Sequence, residues 1–264
     1  MDLGLKDKVA VVAAASGGLG LAVALGLSRE GAKVAICSRD EARIQAAAEQ
    51  IRRQTGGEVL AASVDVTDES QVHSFVTATK QQLGHVDIGV SNCGGPPSKK
   101  FDQTTTTDWE KAYQTSFLST LYFAQALLPG MRERRWGRFI TITSSAVKQP
   151  LDGLILSNSV RSAVSGLVKS LSNEYGPDNV LIHNICPGFT ATDRLMSLAQ
   201  QIAGQENITV DQVVARWAGD TALKRIGTPE EFADTVVFLA SERASYLTGT
   251  SLAVDGGRVR GVFS

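Results

Sequence analysis

The chain has 264 residues, 43% of them hydrophobic and 20% charged, the composition of an ordinary globular protein with ample apolar material for a core. Its formal net charge of −1, with no long basic run, argues against nucleic acid as the main partner. No apolar stretch reaches the length of a bilayer span, so no membrane partner is expected. Cys37, Cys93 and Cys186 are widely spaced in strand-like patterns. They read as small buried residues in a reducing compartment, not as a disulfide framework or a zinc site. His73, His85 and His183 are equally scattered, and no metal constellation is visible. The first eight residues lack a basic region followed by an apolar one, so they do not read as a signal peptide, and a cytoplasmic location is expected.

In chain order, a Val/Ala strand over residues 9–13 feeds a helix over 18–30. A strand at 33–37 precedes an Ala-rich helix at 41–54, and a strand at 58–64 precedes a helix at 69–83. Strands at 86–91 and 138–143 flank one long helical stretch, 107–134. A helix at 157–175 leads into a strand at 180–186, and a helix at 229–240 precedes a short strand at 251–254. Such sustained alternation, with strands apolar on both faces, predicts an α/β fold: a doubly wound, mostly parallel Rossmann sheet of about seven strands with helices on both faces. Residues 189–222 break the alternation. They are expected to form a substrate-covering lid inserted into a single dinucleotide-binding domain, 1–264.

Directly after the first strand the chain runs Ala13-Ala14-Ala15-Ser16-Gly17-Gly18-Leu19-Gly20 and opens a helix. Glycines at a strand-to-helix turn let a pyrophosphate approach backbone N–H groups at the helix N-terminus, so this loop predicts dinucleotide binding. The second strand ends Ile36-Cys37-Ser38-Arg39, with no carboxylate before Asp40. An acid there would bond a ribose 2′-hydroxyl, whereas Ser38 and Arg39 can accept a 2′-phosphate. NADP(H) is therefore favoured over NAD(H).

These residues resemble the short-chain dehydrogenase/reductase family over nearly the whole chain. The family's T-G-x-x-x-G-x-G motif falls on residues 13–20, with Ala13 and Ala14 replacing its Thr and first Gly. Its adenine-contacting Asp falls on Asp65, followed by Val66. Its N-N-A-G segment appears as Ser91-Asn92-Cys93-Gly94, and its P-G segment on the nicotinamide side as Pro187-Gly188-Phe189-Thr190-Ala191-Thr192. Residues 225–231 and 254–257 match its closing signature. The resemblance implies a homotetramer assembled through the long helices and the C-terminal strand. A 3-oxoacyl reductase-like activity would rest on analogy of fold alone.

The family's catalytic positions carry other residues here. Anchoring on residues 166–171 puts its Tyr position at Ser157 and its Lys position at Arg161; the Ser position is Ser144, and anchoring on Asp108-Trp109 puts the Asn position at Ser116. No Tyr in the chain has a Lys four or seven residues on. A serine hydroxyl is a far poorer proton source than a tyrosine, and Arg161 can bond the cofactor ribose, but a guanidinium does not cycle protons.

Three readings stand. The chain is an NADP(H)-dependent oxidoreductase acting on a carbonyl/hydroxyl small molecule, its proton coming from water, from the substrate or from a side chain such as Lys148. Alternatively it is a weak or inactive dinucleotide-binding protein serving as a sensor or assembly subunit. Or it reduces an imine or activated alkene that needs little acid catalysis. The small residues at the catalytic positions would also widen the pocket, between residues 94–97 on one side and Leu151, Leu154, Leu195, Met196 and Trp217 on the other.

Overall fold

A computed structural model describes residues 1–262 and shows one seven-stranded sheet in the order β3-β2-β1-β4-β5-β6-β7. The strands are β1 (Val9–Ala13), β2 (Lys33–Ser38), β3 (Val59–Ser63), β4 (Ile88–Ser91), β5 (Gly137–Ile142), β6 (Val180–Pro187) and β7 (Ser251–Val254). Every pairing between them is parallel; Val12, for example, is in register with Ile36 on one side and Val90 on the other. The helices are α1 (Gly18–Arg29), α2 (Glu41–Thr55), α3 (Glu69–Leu83), α4 (Thr106–Tyr113), α5 (Ser119–Arg134), α6 (Ile155–Tyr175), α7 (Asp193–Glu206), α8 (Val210–Gly219) and α9 (Pro229–Ala240). None is long and apolar enough to cross a membrane among the described residues.

Strand alternation divides the core into two layers. Ala10 and Val12 of β1 face α1, α2 and α9, where Ile44, Ile51, Phe232 and Val236 are buried. Val9, Val11 and Ala13 face α3, α5 and α6, against Phe75, Phe123, Leu127 and Val164. Each of these larger side chains contributes ~1.5–3 kcal/mol by leaving water, which explains why central strands read as unbroken apolar runs. The sheet reverses its winding between β1 and β4, and the loops leaving their C-terminal ends diverge there into a crevice.

The long helical stretch at 107–134 is two helices. A π-type turn, Gln114–Leu118, joins α4 to α5 and widens the helix around Ser116. Residues 189–222 hold α7 and α8, which share a small apolar cluster of their own: Ala199, Ala203, Val213 and Trp217, with Trp217 stacked on Phe189 at 5.2 Å. Cys37 and Cys186 are buried, as their strand-like setting predicts; Cys93 is half-buried, because β4 ends at Ser91. Burial pushes the Cys37 thiol up to about 12.

Two tests follow from this packing. A Cβ on Gly89 of β4 would meet Leu127 Cδ1 at 2.5 Å and Phe139 Cδ2 at 3.0 Å, so Gly89→Ala overpacks the layer under α5. The expected loss is ~1–3 kcal/mol, read from the urea midpoint. His183 on β6 is fully buried with Nδ1 2.9 Å from Thr250 Oγ1, and burial, then repulsion from Arg138, lower its pKa to about 4. The unfolded imidazole binds a proton near pH 6.5 that the folded one refuses, so stability falls by roughly 3 kcal/mol as pH drops from 6.5 to 4. His183→Gln should flatten that acid limb; an unchanged slope assigns it to other groups.

Candidate functional site

Helix α1 begins immediately beyond β1, and its N-terminus is unlike those of its neighbours. Asp40, Asp68, Thr192 and Thr228 cap α2, α3, α7 and α9 with side-chain oxygens. Gly17 offers α1 no side-chain cap, and the first turn of α1 carries no acid. Free N–H groups and the positive end of the helix dipole therefore face the crevice, an arrangement suited to an anion. A Cβ on Gly20 would collide with the Ala14 carbonyl, so only glycine allows helix and strand this close. Gly18 takes the left-handed φ of +55° and faces Thr192 across the crevice, while Ala14 takes φ +49°. The Asn92 amide lies 3.5 Å from the Ala14 carbonyl, tying the loop after β4 to the loop after β1.

The crevice opens into a cavity of about 520 Å³. Its floor is the loop residues Ala14, Ser16, Gly17, Gly18 and Leu19. Asn92, Cys93, Gly94, Gly95 and Pro96 form one wall, and Pro187, Gly188, Phe189, Thr190 and Thr192 another. Ser144 enters from the end of β5; its Oγ accepts from the Ala146 N–H at 3.1 Å and caps the 3-10 turn Ser145–Val147. Ser157 and Arg161, successive turns of one face of α6, complete the cavity and are only 8% and 7% exposed. The Arg161 guanidinium donates to the Thr143 carbonyl and, at 3.9 Å, to Cys93 Sγ, while its buried Nε has no partner.

Several residues expected at the site do not line this cavity. Gly20 lies beneath the loop as its spacer. Ser38 Oγ donates to the Asp40 carbonyl, and the exposed Arg39 stands at the outer end of β2, where its own carbonyl accepts from Ser63 Oγ at 3.0 Å. Asp65 spends its Oδ1 on the N–H and hydroxyl of Thr67, and Val66 packs on the core. Ser116 is 2% exposed, its hydroxyl unpartnered, behind the cavity wall. Lys148 caps the 3-10 turn but does not face the cavity, so it is not placed as a proton donor. Met196 and Trp217 also lie off the wall, because Trp217 is spent holding α7 and α8 together; Leu151, Leu154, Leu195 and Leu198 form the apolar side, with Pro97 outside it.

Three cavity arginines escaped the sequence reading. Arg43 extends from α2 over the glycine loop, its Nη2 3.5 Å from where a Gly17 Cβ would stand. Arg194, on α7, reaches across to donate to the Gly95 carbonyl at 3.0 Å. Arg258 comes from the tail beyond β7. Nothing local in the sequence marks any of the three. With Arg161 they make four guanidinium groups against one lining carboxylate, Asp193, so the cavity favours anions. The uncapped helix end and the glycine cradle fit the pyrophosphate of a dinucleotide.

Residues 13–258 match the family model described as Enoyl-(Acyl carrier protein) reductase. The chain is 30% identical over 257 residues to the 3-oxoacyl-acyl-carrier-protein reductase FabG of Aquifex aeolicus (strain VF5), covering 97% of this chain and 99% of that protein. It superposes with a TM-score of 0.95 on the L-sorbose reductase of Gluconobacter frateurii complexed with NADPH and L-sorbose, at 31% identity over 99% of this chain and 100% of that one. A third similarity, TM-score 0.90 and 31% identity over 98% and 99% of the two chains, is to the NADPH-bound short chain oxidoreductase of Pseudomonas aeruginosa PAO1 containing an atypical catalytic center. With the fold, the crevice and these matches together, the chain belongs to the short-chain dehydrogenase/reductase family and is an oxidoreductase of that type.

Proposed function

We propose that the chain is an NADP(H)-dependent oxidoreductase acting on the carbonyl or hydroxyl group of a small molecule, with Ser144, Ser157 and Arg161 where the family has Ser, Tyr and Lys. One observation carries this reading: those three residues and the glycine loop line the same cavity. The α1 N-terminus and Gly17–Gly18 would hold the pyrophosphate, Arg39 and Arg43 the 2′-phosphate, Asp65 and Val66 the adenine end, and Arg161 the ribose. Asn92, Cys93, Gly94, Pro187, Gly188, Thr190 and Thr192 would flank the nicotinamide, whose chemistry when bound is to give or take a hydride. Helices α7 and α8, with their own apolar cluster, act as the lid, since Leu195 and Leu198 reach the cavity from α7.

Ser144 and Ser157 donate hydrogen bonds to the substrate oxygen, and Arg161 opposes the negative charge that develops there without surrendering its own proton. Water in the cavity supplies the proton. Ser116, with no surface on the cavity, acts only through the atoms in between. The structural neighbour from Pseudomonas aeruginosa, with its NADPH and its atypical catalytic center, supports a bound cofactor beside an altered constellation. Replacing an efficient general acid by water costs ~10²–10⁴-fold in rate, which slows carbonyl reduction without abolishing it.

Fluorescence titration tests the cofactor half. The Arg39→Ala, Arg43→Ala double variant should lose at least about tenfold in NADPH affinity while NADH affinity changes little. Equal losses for both cofactors would remove the phosphate role. For the chemical half, NADPH oxidation is followed over a panel of aldehydes, ketones and oxo acids. The Ser157→Tyr, Arg161→Lys double variant should exceed the parent by ~10²–10⁴-fold on at least one of them. A variant no faster on any carbonyl would show that proton transfer is not what limits the parent.

A further inference from the structure

Arg258 has a setting that cofactor binding does not explain. It follows the turn at residues 255–257 beyond β7 and is 6% exposed, yet it lines the cavity beside Ser144 and Ser145. Its Nη1 donates to Ser145 Oγ at 3.3 Å and its guanidinium lies 5.2 Å from the centre of the Phe189 ring. The buried Nε has no hydrogen-bond partner, and no carboxylate among the described residues lies within 4.0 Å of the group. Asp255 is the nearest candidate in sequence, but its two oxygens accept from the N–H groups of Gly257 and Val259 at 2.9 and 2.8 Å. Burial pushes the guanidinium below its usual range while Asp220 and Asp255 pull it back, and an arginine keeps its charge through such shifts.

A buried charge with no carboxylate in contact among the described residues is costly, and an apolar side chain would fill the same space more cheaply. The backbone around it is nevertheless fastened on both sides, at Gly257 and Val259 by Asp255 and at Arg260 by the Gln149 side chain, 3.1 Å away. The tail is thus tied to the loop that follows Ser144, and the guanidinium is bonded to Ser145, the next residue in that loop. Leu151, Leu154, Leu195 and Leu198 line the same cavity.

We infer that Arg258 recognises a carboxylate on the substrate, which makes the substrate class oxo acids or hydroxy acids with an apolar body. The inference rests on the oxidoreductase reading, in which the reacting oxygen lies at Ser144 and Ser157. One planar fork with a single hydroxyl beside it matches the single charge of a carboxylate; a dianionic phosphate would call for more donors.

The test titrates hexanoate and methyl hexanoate into the NADPH-saturated protein and into the protein alone, by calorimetry. Hexanoate should bind at least about tenfold more tightly than the ester. Arg258→Met should erase that preference and Arg258→Lys should keep part of it, with NADPH affinity retained in both variants as the sign that they fold. The inference is overturned if the ester binds as well as the acid, if no acid binds, or if the preference survives Arg258→Met. A carboxylate preference in a protein that binds no NADPH would sink the oxidoreductase reading while leaving the Arg258 site intact.

Discussion

The close approach of α1 to the end of β1 is the constraint on which the rest of the site depends. Gly20 is the contact: any side chain there would strike the Ala14 carbonyl. That approach turns Ala14 into the left-handed region, which costs an L-residue ~1–2 kcal/mol, and sets its carbonyl within reach of the Asn92 amide. It also leaves the first turn of α1 without a cap, facing a crevice that exists because the winding of the sheet reverses between β1 and β4. The pleat and the parallel pairing then bring the loops after β4, β5, β6 and β7 to the same edge, so residues 244 positions apart, Ala14 and Arg258, share one cavity.

Around that edge the chain concentrates positive charge and small hydroxyl groups. In the proposed reading, arginine at position 161 keeps the electrostatics of a cation beside the reacting centre but gives up proton exchange, and serine at 157 keeps a hydrogen-bond donor but gives up acidity. The proposed chemistry is therefore one in which the protein positions and polarises while solvent moves the proton. Leu151, Leu154, Leu195, Leu198 and the Arg258 guanidinium line the same cavity.

The fold was largely legible because burial on both faces of a parallel sheet leaves continuous Val, Ile and Ala runs, and these set strand number, order of alternation and class. The joint in the long helical stretch was not. A π-type turn adds one residue to a helical turn without needing Gly or Pro, so residues 114–118 look like ordinary helix until the packing of Ser116 is seen. Cys93 was misread for a related reason: its surroundings are strand-like, but β4 stops at Ser91 and the chain turns into the cavity. Trp217 and Met196, placed on the pocket wall because they fall in the inserted segment, lie off it, since α7 and α8 bury Trp217 between themselves.

By itself the sequence determined the α/β class and the glycine loop, because each rests on a local pattern: alternating apolar runs, or a strand followed by glycines. Ser144, Ser157 and Arg161 were singled out by resemblance to the family, and the fold brings them to one cavity. Only the tertiary structure decided that Ser116, Asp65 and Lys148 stand away from the cavity, and that Arg43, Arg194 and Arg258 stand in it. Those arginines come from α2, α7 and the tail beyond β7, elements that meet only when the sheet is wound, so no window along the chain contains their relation. Charge in a cleft is a property of convergence, and convergence is set by strand order, which the residues around each arginine do not record.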